Sequence, residues 1–209
     1  MIEIKNISKS YKNRLILDDI SLSFHEEDIV VIVGRNGAGK STLLSILAGF
    51  VKADKGTASI NKKEVGFIPQ ADSLFEDLTV KDNINFWANI SNTKNSHDLI
   101  KLFGIDEYLK KKVRELSGGM KKRVAICTAL LHDPKIIIMD EPFSGLDMFY
   151  KNELLQMIAK LKEMGKCIIY TSHNTDEIFA LESKHYVISN KKVYPIESKE
   201  ELYEKYILA

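Results

Sequence analysis

Arginine, cysteine and long apolar runs are all scarce in this 209-residue chain, and each scarcity excludes something. Four of the 30 basic side chains are arginine (Arg14, Arg35, Arg114 and Arg123), and the formal net charge is +1. A surface built to read base edges or backbone phosphates needs more guanidinium and a stronger field, so no nucleic-acid partner is expected. The two cysteines, Cys127 and Cys167, show no ligand spacing and read as reduced core residues of a cytosolic protein. No apolar run approaches the roughly 18 residues of a membrane span. The opening MIEIKNIS is no charged-then-apolar leader, so the chain is not expected to cross a membrane by itself. Without a leader, the glycosylation-type triplets Asn6-Ile7-Ser8 and Asn89-Ile90-Ser91 are chance matches. The length suits one domain, or one with an inserted subdomain, and no repeat or low-complexity tract interrupts it.

What is present centres on IVVIVGRNGAGKSTLLSILAG at 29–49. Ile29 to Val33 reads as a strand buried on both faces. From Gly34 the sequence matches G-x-x-x-x-G-K-[ST], with Gly39, Lys40 and Ser41 closing the motif. Leu43, Leu44 and Leu47 then share one helical face, and Gly49 is placed to end the helix. Strand, glycine loop and helix form the context in which this motif cradles phosphates. Gly34, Gly37 and Gly39 let backbone N–H groups turn inward, and the positive helix end faces the same anion. Lys40 reaches the β- and γ-phosphates, and Ser41 offers a hydroxyl to Mg²⁺. A nucleoside triphosphate site is therefore expected over Gly34, Arg35, Asn36, Gly37, Ala38, Gly39, Lys40, Ser41 and Thr42.

Around that centre, Ile2 and Ile4 alternate with polar residues, and Ile20, Leu22 and Phe24 do the same, which predicts an antiparallel pair of strands beside the core. Tyr11, at the end of the first, is either a ring for a base to stack on or an ordinary strand-end tyrosine. Short strands are predicted at Thr57 to Ile60 and Val65 to Ile68. Gln70 follows the second, as a solvated residue or as a ligand of the metal or the γ-phosphate. From Thr79 to about Lys112 helical periodicity replaces strand patterns, and Phe75, Phe86, Trp87 and Phe103 crowd the region. One or two exposed aromatics there would suit docking to a partner. Ser117 with Gly118 and Gly119 has the form of a second anion-binding helix start. Its helix places Met120, Val124, Cys127 and Leu131 on one stripe and turns Lys121, Lys122 and Arg123 away.

Ile136 to Met139 is another apolar strand, ending in Asp140-Glu141. Carboxylates at the end of a buried strand need a partner, and Mg²⁺ supplies one for Asp140, leaving Glu141 to take a proton from water. The turn through Asp147 leads to a helix carrying Leu154, Leu155, Ile158 and Leu161. Cys167 to Thr171 is the next core strand, with His173 at its carboxyl end, where ligands gather in open α/β sheets. A hairpin about Asn190 joins Tyr186–Ser189 to Lys192–Ile196, and Ser198 opens a terminal helix.

Taken together, GRNGAGKS at 34–41, Gln70, LSGGM at 116–120, IIIMDE at 136–141, SGLD at 144–147 and His173 resemble the ATP-binding cassette ATPases over essentially the whole chain. LSGG is the specific part of the resemblance. It implies an α/β P-loop NTPase fold over 1–209, with a mixed or parallel core sheet, an antiparallel β-subdomain and a helical subdomain inserted at roughly 71–133. It further implies that Tyr11 stacks on adenine, that Gln70 senses the γ-phosphate, and that Glu141 is the general base. His173 would contact the γ-phosphate, and Ser41, Gln70 and Asp140 would surround the metal. Ser117, Gly118 and Gly119 would touch the γ-phosphate of ATP on a second cassette, with Asp147 crossing between the two. Met120 departs from the family's usual glutamine. The chain also stops soon after the hairpin, so the C-terminal regulatory domain of some importers is not expected. The implied function is an ATP-hydrolysing transporter subunit on the cytoplasmic face of the membrane, needing ATP, Mg²⁺, a polytopic permease and a partner cassette, identical or not. The alternative is a soluble ATPase acting on DNA or ribosomes; members of that kind carry coiled coils or fused cassettes, which are not seen here.

Overall fold

The computed structural model describes residues 1–71, 73–93 and 96–206. Strands β1 (Ile2–Tyr11) and β2 (Arg14–Phe24) pair antiparallel with Ile4 opposite Leu22, as their alternation predicts. Strand β3 (Ile29–Gly34) is buried at every position and runs through the glycine loop into helix α1 (Lys40–Ala48). Strand β4 is Lys55–Ala58, two residues earlier than its apolar residues suggest, because it is placed by pairing with β1. It completes a three-stranded sheet in the order β2-β1-β4.

Strand β5 (Val65–Ile68) begins the return to the core. Between it and the next strand the chain forms helices α2 (Val80–Ile90), α3 (Ser96–Leu102) and α4 (Gly118–Ala129) with two short 3₁₀ turns. Residues 72, 94 and 95 of this helical stretch lie outside the described residues. Strand β6 (Ile136–Met139), helix α5 (Met148–Glu163), strand β7 (Cys167–Ser172) and the short helix α6 (Thr175–Ile178) follow. The hairpin of β8 (Lys184–Ser189) and β9 (Lys192–Ile196) turns on Asn190 and Lys191, both at positive φ, before helix α7 (Lys199–Tyr206). That two-residue left-handed turn matches the twist of the paired strands.

The central sheet has the order β5-β6-β7-β3-β8-β9, parallel except for β9. Its strands β3, β6 and β7 are buried at every position because both faces are covered. Val30, Ile32, Ile138 and Ile169 pack with Leu43, Leu44 and Leu47 of α1 and with the antiparallel sheet. Their neighbours Val31, Val33, Ile137, Ile168 and Tyr170 pack with α4 and α5 on the other side. Each such side chain contributes about 1.5–3 kcal/mol through burial. Cys127 and Cys167 are free and fully buried, and burial pushes both thiols up to about 12.

One expectation fails on α4. Lys121, Lys122 and Arg123 do not all turn to water: Lys122 is buried, and Arg123 is half-buried and paired with Glu153 of α5. The helix is packed nearly all round, between α2, β5 and α5. Its long cations therefore cross an apolar interface before reaching a polar partner.

Candidate functional site

Four strand ends converge on one edge of the sheet. β3 delivers the glycine loop, β5 delivers Gln70, β6 delivers Asp140 and Glu141, and β7 delivers His173. Neighbouring parallel strands at their carboxyl ends form the crevice in which such sheets bind ligands.

In the glycine loop, the Ala38 N–H donates to Arg35 O at 3.0 Å. Gly39 sits at φ 105°, and a Cβ there would come within 2.8 Å of Leu17 Cδ2. Both the conformation and the approach of β2 therefore require glycine. Immediately after it Lys40 opens α1, its ammonium folded back onto Gly34 O at 2.7 Å. The first N–H groups of a helix have no carbonyl partner within it, which makes the start of α1 suited to an anion.

Asp140 and Glu141 are buried, so the reading of two acids at the end of a core strand holds in space. Glu141 is held on three sides. Its Oε1 lies 3.2 Å from Lys40 Nζ, its Oε2 lies 2.9 Å from His173 Nδ1, and its N–H donates to Thr171 Oγ1 at 2.7 Å. The Thr171 hydroxyl in turn donates to Asp140 Oδ1 at 2.8 Å. Glu141 adopts φ 46°, a left-handed conformation that costs an ordinary residue of order 1–3 kcal/mol and needs such surroundings to persist.

These groups border an open cleft of about 730 Å³, within the range of small-molecule sites. Tyr11, Arg35, Asn36, Gly37, Gly39 and Lys40 line it on one side. Ser41, Thr42, Gln70, Glu141 and His173 line it on the other. Gly34 and Ala38 belong to the loop beneath. Tyr11 is 46% exposed, an aromatic face available to a flat ring. Arg14, Ile16 and Ser144 also line the cleft without being singled out in the sequence. Nor was Thr171 singled out, buried behind the cleft as the support of Asp140 and Glu141. A threonine and a serine closing the otherwise apolar strand CIIYTS are the one sequence signal for that support.

Among the described residues no three His, Cys, Asp or Glu converge to hold a metal unaided. Of the three residues expected around a metal, Ser41 and Gln70 line the cleft, while Asp140 is buried behind Glu141 with its Oδ1 accepting from Thr171. That set suits a hard cation taking one carboxylate and completing its shell from phosphates and water.

Ser117, Gly118, Gly119 and Asp147 do not line this cleft. Ser117 caps α4, its Oγ accepting the Met120 N–H at 3.3 Å, and Asp147 caps α5 through the Tyr150 N–H at 3.0 Å. Ser117, Gly118 and Asp147 are exposed. One chain therefore presents the cleft and, elsewhere, a second glycine-rich helix start capped by Ser117.

Residues 17–144, which include the glycine loop, Gln70, LSGGM and Asp140-Glu141, match the family model described as ABC transporter. A shorter stretch, 112–180, matches a model for an AAA domain. The linearmycin resistance ATP-binding protein LnrL of Bacillus subtilis is 32% identical over 219 residues, covering 97% of this chain and 70% of that protein. The spermidine/putrescine import ATP-binding protein PotA of Borrelia garinii subsp. bavariensis is 31% identical, covering 98% of this chain and 65% of that protein. A solved ATP-binding subunit of an ABC transporter superposes with a TM-score of 0.82 at 25% identity, covering 98% of this chain and 92% of the other. A nucleotide-free ATP-binding cassette superposes at 0.84 with 24% identity, the same fold. With the phosphate loop, the paired acids and the serine-glycine helix start in the family's order, the chain belongs to the ABC transporter family and is one of its ATP-binding ATPases.

Proposed function

We propose that this chain powers the movement of a substrate through a separate membrane permease by closing on a second cassette around two ATP molecules. The observation that carries this reading is the division of the site. Lys40, Glu141, Gln70 and His173 meet at one cleft, whereas Ser117, Gly118, Gly119 and Asp147 stand apart from it at the starts of α4 and α5, exposed except for Gly119. Each group is useful to a triphosphate, and a head-to-tail pair of cassettes brings one chain's cleft against the other's serine-glycine loop.

Within the cleft, Tyr11 stacks on the base and the loop from Gly34 to Thr42 wraps the phosphates. Lys40 leaves Glu141 for the β- and γ-phosphates, which frees the carboxylate. Glu141, still held by His173 and by its N–H on Thr171, takes a proton from water as the water oxygen bonds to the γ-phosphorus. The bond to the bridging oxygen breaks, giving ADP and inorganic phosphate. A Mg²⁺ ion held by Ser41 and Asp140, with Gln70 beside it, would neutralise phosphate charge. Loss of the γ-phosphate removes the contacts that favour closure, so hydrolysis reopens the pair.

No helix among the described residues is long and apolar enough to cross a membrane, so transport requires a permease subunit, with the chain peripheral on the cytoplasmic face. The 70–112 segment is the docking candidate. Phe75 and Phe86 are exposed and stacked edge to face at 4.8 Å, whereas Phe103 is buried. The names of relatives, a resistance protein and an importer among them, support transport without fixing its direction. The test is Glu141→Gln: ATP binding is expected to persist while turnover falls by at least about a hundredfold, the scale of a general base. Ordinary turnover in the variant would remove Glu141 from its role.

A further inference from the structure

One side chain joins the two helix starts that stand apart from the cleft. Tyr150, in the first turn of α5, lies with its ring against Gly119, where an added Cβ would be 2.1 Å from Tyr150 Cδ1. Its N–H donates to Asp147 Oδ1 at 3.0 Å, and its hydroxyl lies 3.1 Å from Ser117 Oγ. The closest approach in this region is therefore aromatic ring on backbone, and glycine at 119 is demanded by Tyr150 whatever the loop binds. The tyrosine touches Ser117, Gly119 and Asp147 together.

We propose that Tyr150 is a positioning residue for Ser117, setting the direction of its hydroxyl for the γ-phosphate on the partner cassette. The inference rests on the composite-site reading above. Ser117 has one proton and two acceptor positions. In the single chain the serine O–H donates to the Tyr150 oxygen, and Ser117 Oγ accepts the Met120 N–H at 3.3 Å. That leaves no serine proton for a phosphate oxygen. A phenol is both donor and acceptor, so the contact can reverse: the Tyr150 O–H turns to donate to Ser117 Oγ, and the serine proton turns outward. Ser117 then accepts two hydrogen bonds and donates one, with all its capacity used. Each bond in such a chain polarises the next, so the serine becomes the stronger donor. Because the same residue caps through Asp147, the direction of Ser117 and the position of the 144–147 turn move together.

The test is a double-mutant cycle in the Glu141→Gln background, reading the dissociation constant of the pair formed with ATP and Mg²⁺ by sedimentation, with Ser117→Ala, Tyr150→Phe and the double variant. Phenylalanine keeps the ring on Gly119 and removes only the hydroxyl. Expected is a roughly fivefold weaker pair per site for Tyr150→Phe, the loss of one neutral hydrogen bond, with ATP affinity of the single chain unchanged. In the Ser117→Ala background Tyr150→Phe should add nothing, because it acts through that hydroxyl. Additive losses, or no loss in Tyr150→Phe when Ser117→Ala weakens the pair, would overturn the role of Tyr150 and leave the composite site standing. If the parent does not pair, or Ser117→Ala pairs as well as the parent, the composite site itself is wrong and this inference goes with it.

Discussion

Thr171 serves two acids with one hydroxyl, accepting from the Glu141 N–H and donating to the Asp140 carboxylate. Thr171→Val keeps the shape and strands both buried partners, a loss of about 1–3 kcal/mol. Urea unfolding checks that figure, and ATP turnover should fall with it as Glu141 loses the contact that keeps it at φ 46°. A variant as stable and active as the parent would show that the acids support themselves. At the other wall of the cleft, Tyr11→Ala should weaken ATP by about 1 kcal/mol, one stacked ring. Equal affinity by fluorescence titration would make Tyr11 an ordinary strand-end residue. Lys40 illustrates what residue types alone leave open. The glycine motif assigns it to phosphate, and only the fold shows that it also lies 3.2 Å from the Glu141 carboxylate.

At the level of strands and helices, the readable parts are those whose cause is local. β3, β6 and β7 are runs of β-branched and apolar residues stopped by Gly34, Asp140 and the polar pair before His173, so their ends coincide with the site. The last hairpin is readable because Asn190 accepts positive φ. Lys122 was not readable: α5 covers a helix face that composition assigns to water. Nor was the start of β4, which β1 determines by pairing. Tyr150 likewise carries no local signal for its contact with Ser117, which is 33 residues away in sequence. A pH prediction belongs to the joint between α6 and β8. His185 Nε2 is 3.0 Å from Ile178 O, and burial holds the imidazole below its ordinary value despite that contact. The unfolded chain therefore binds the proton more readily, so this joint is fully stable above about pH 6.5 and loses stability as pH falls below it. His185→Gln should flatten that acid slope, read as Tm at pH 7.5 and 5.5. An unchanged slope would assign acid sensitivity elsewhere.

Across the whole molecule, the cleft and the serine-glycine helix start have different standing. The cleft is nearly complete in one chain, with cation, acid and histidine already in contact. The serine-glycine loop is built with equal care, packed on Tyr150 and capped, yet touches nothing in the cleft. The decisive measurement is the mass of the Glu141→Gln chain, with its natural companions present, by sedimentation or light scattering with and without ATP and Mg²⁺. Cassettes joining into a pair with ATP, and parting when it is removed, is the outcome required by divided sites. A chain that binds ATP at Lys40 and never pairs under any nucleotide condition would contradict them.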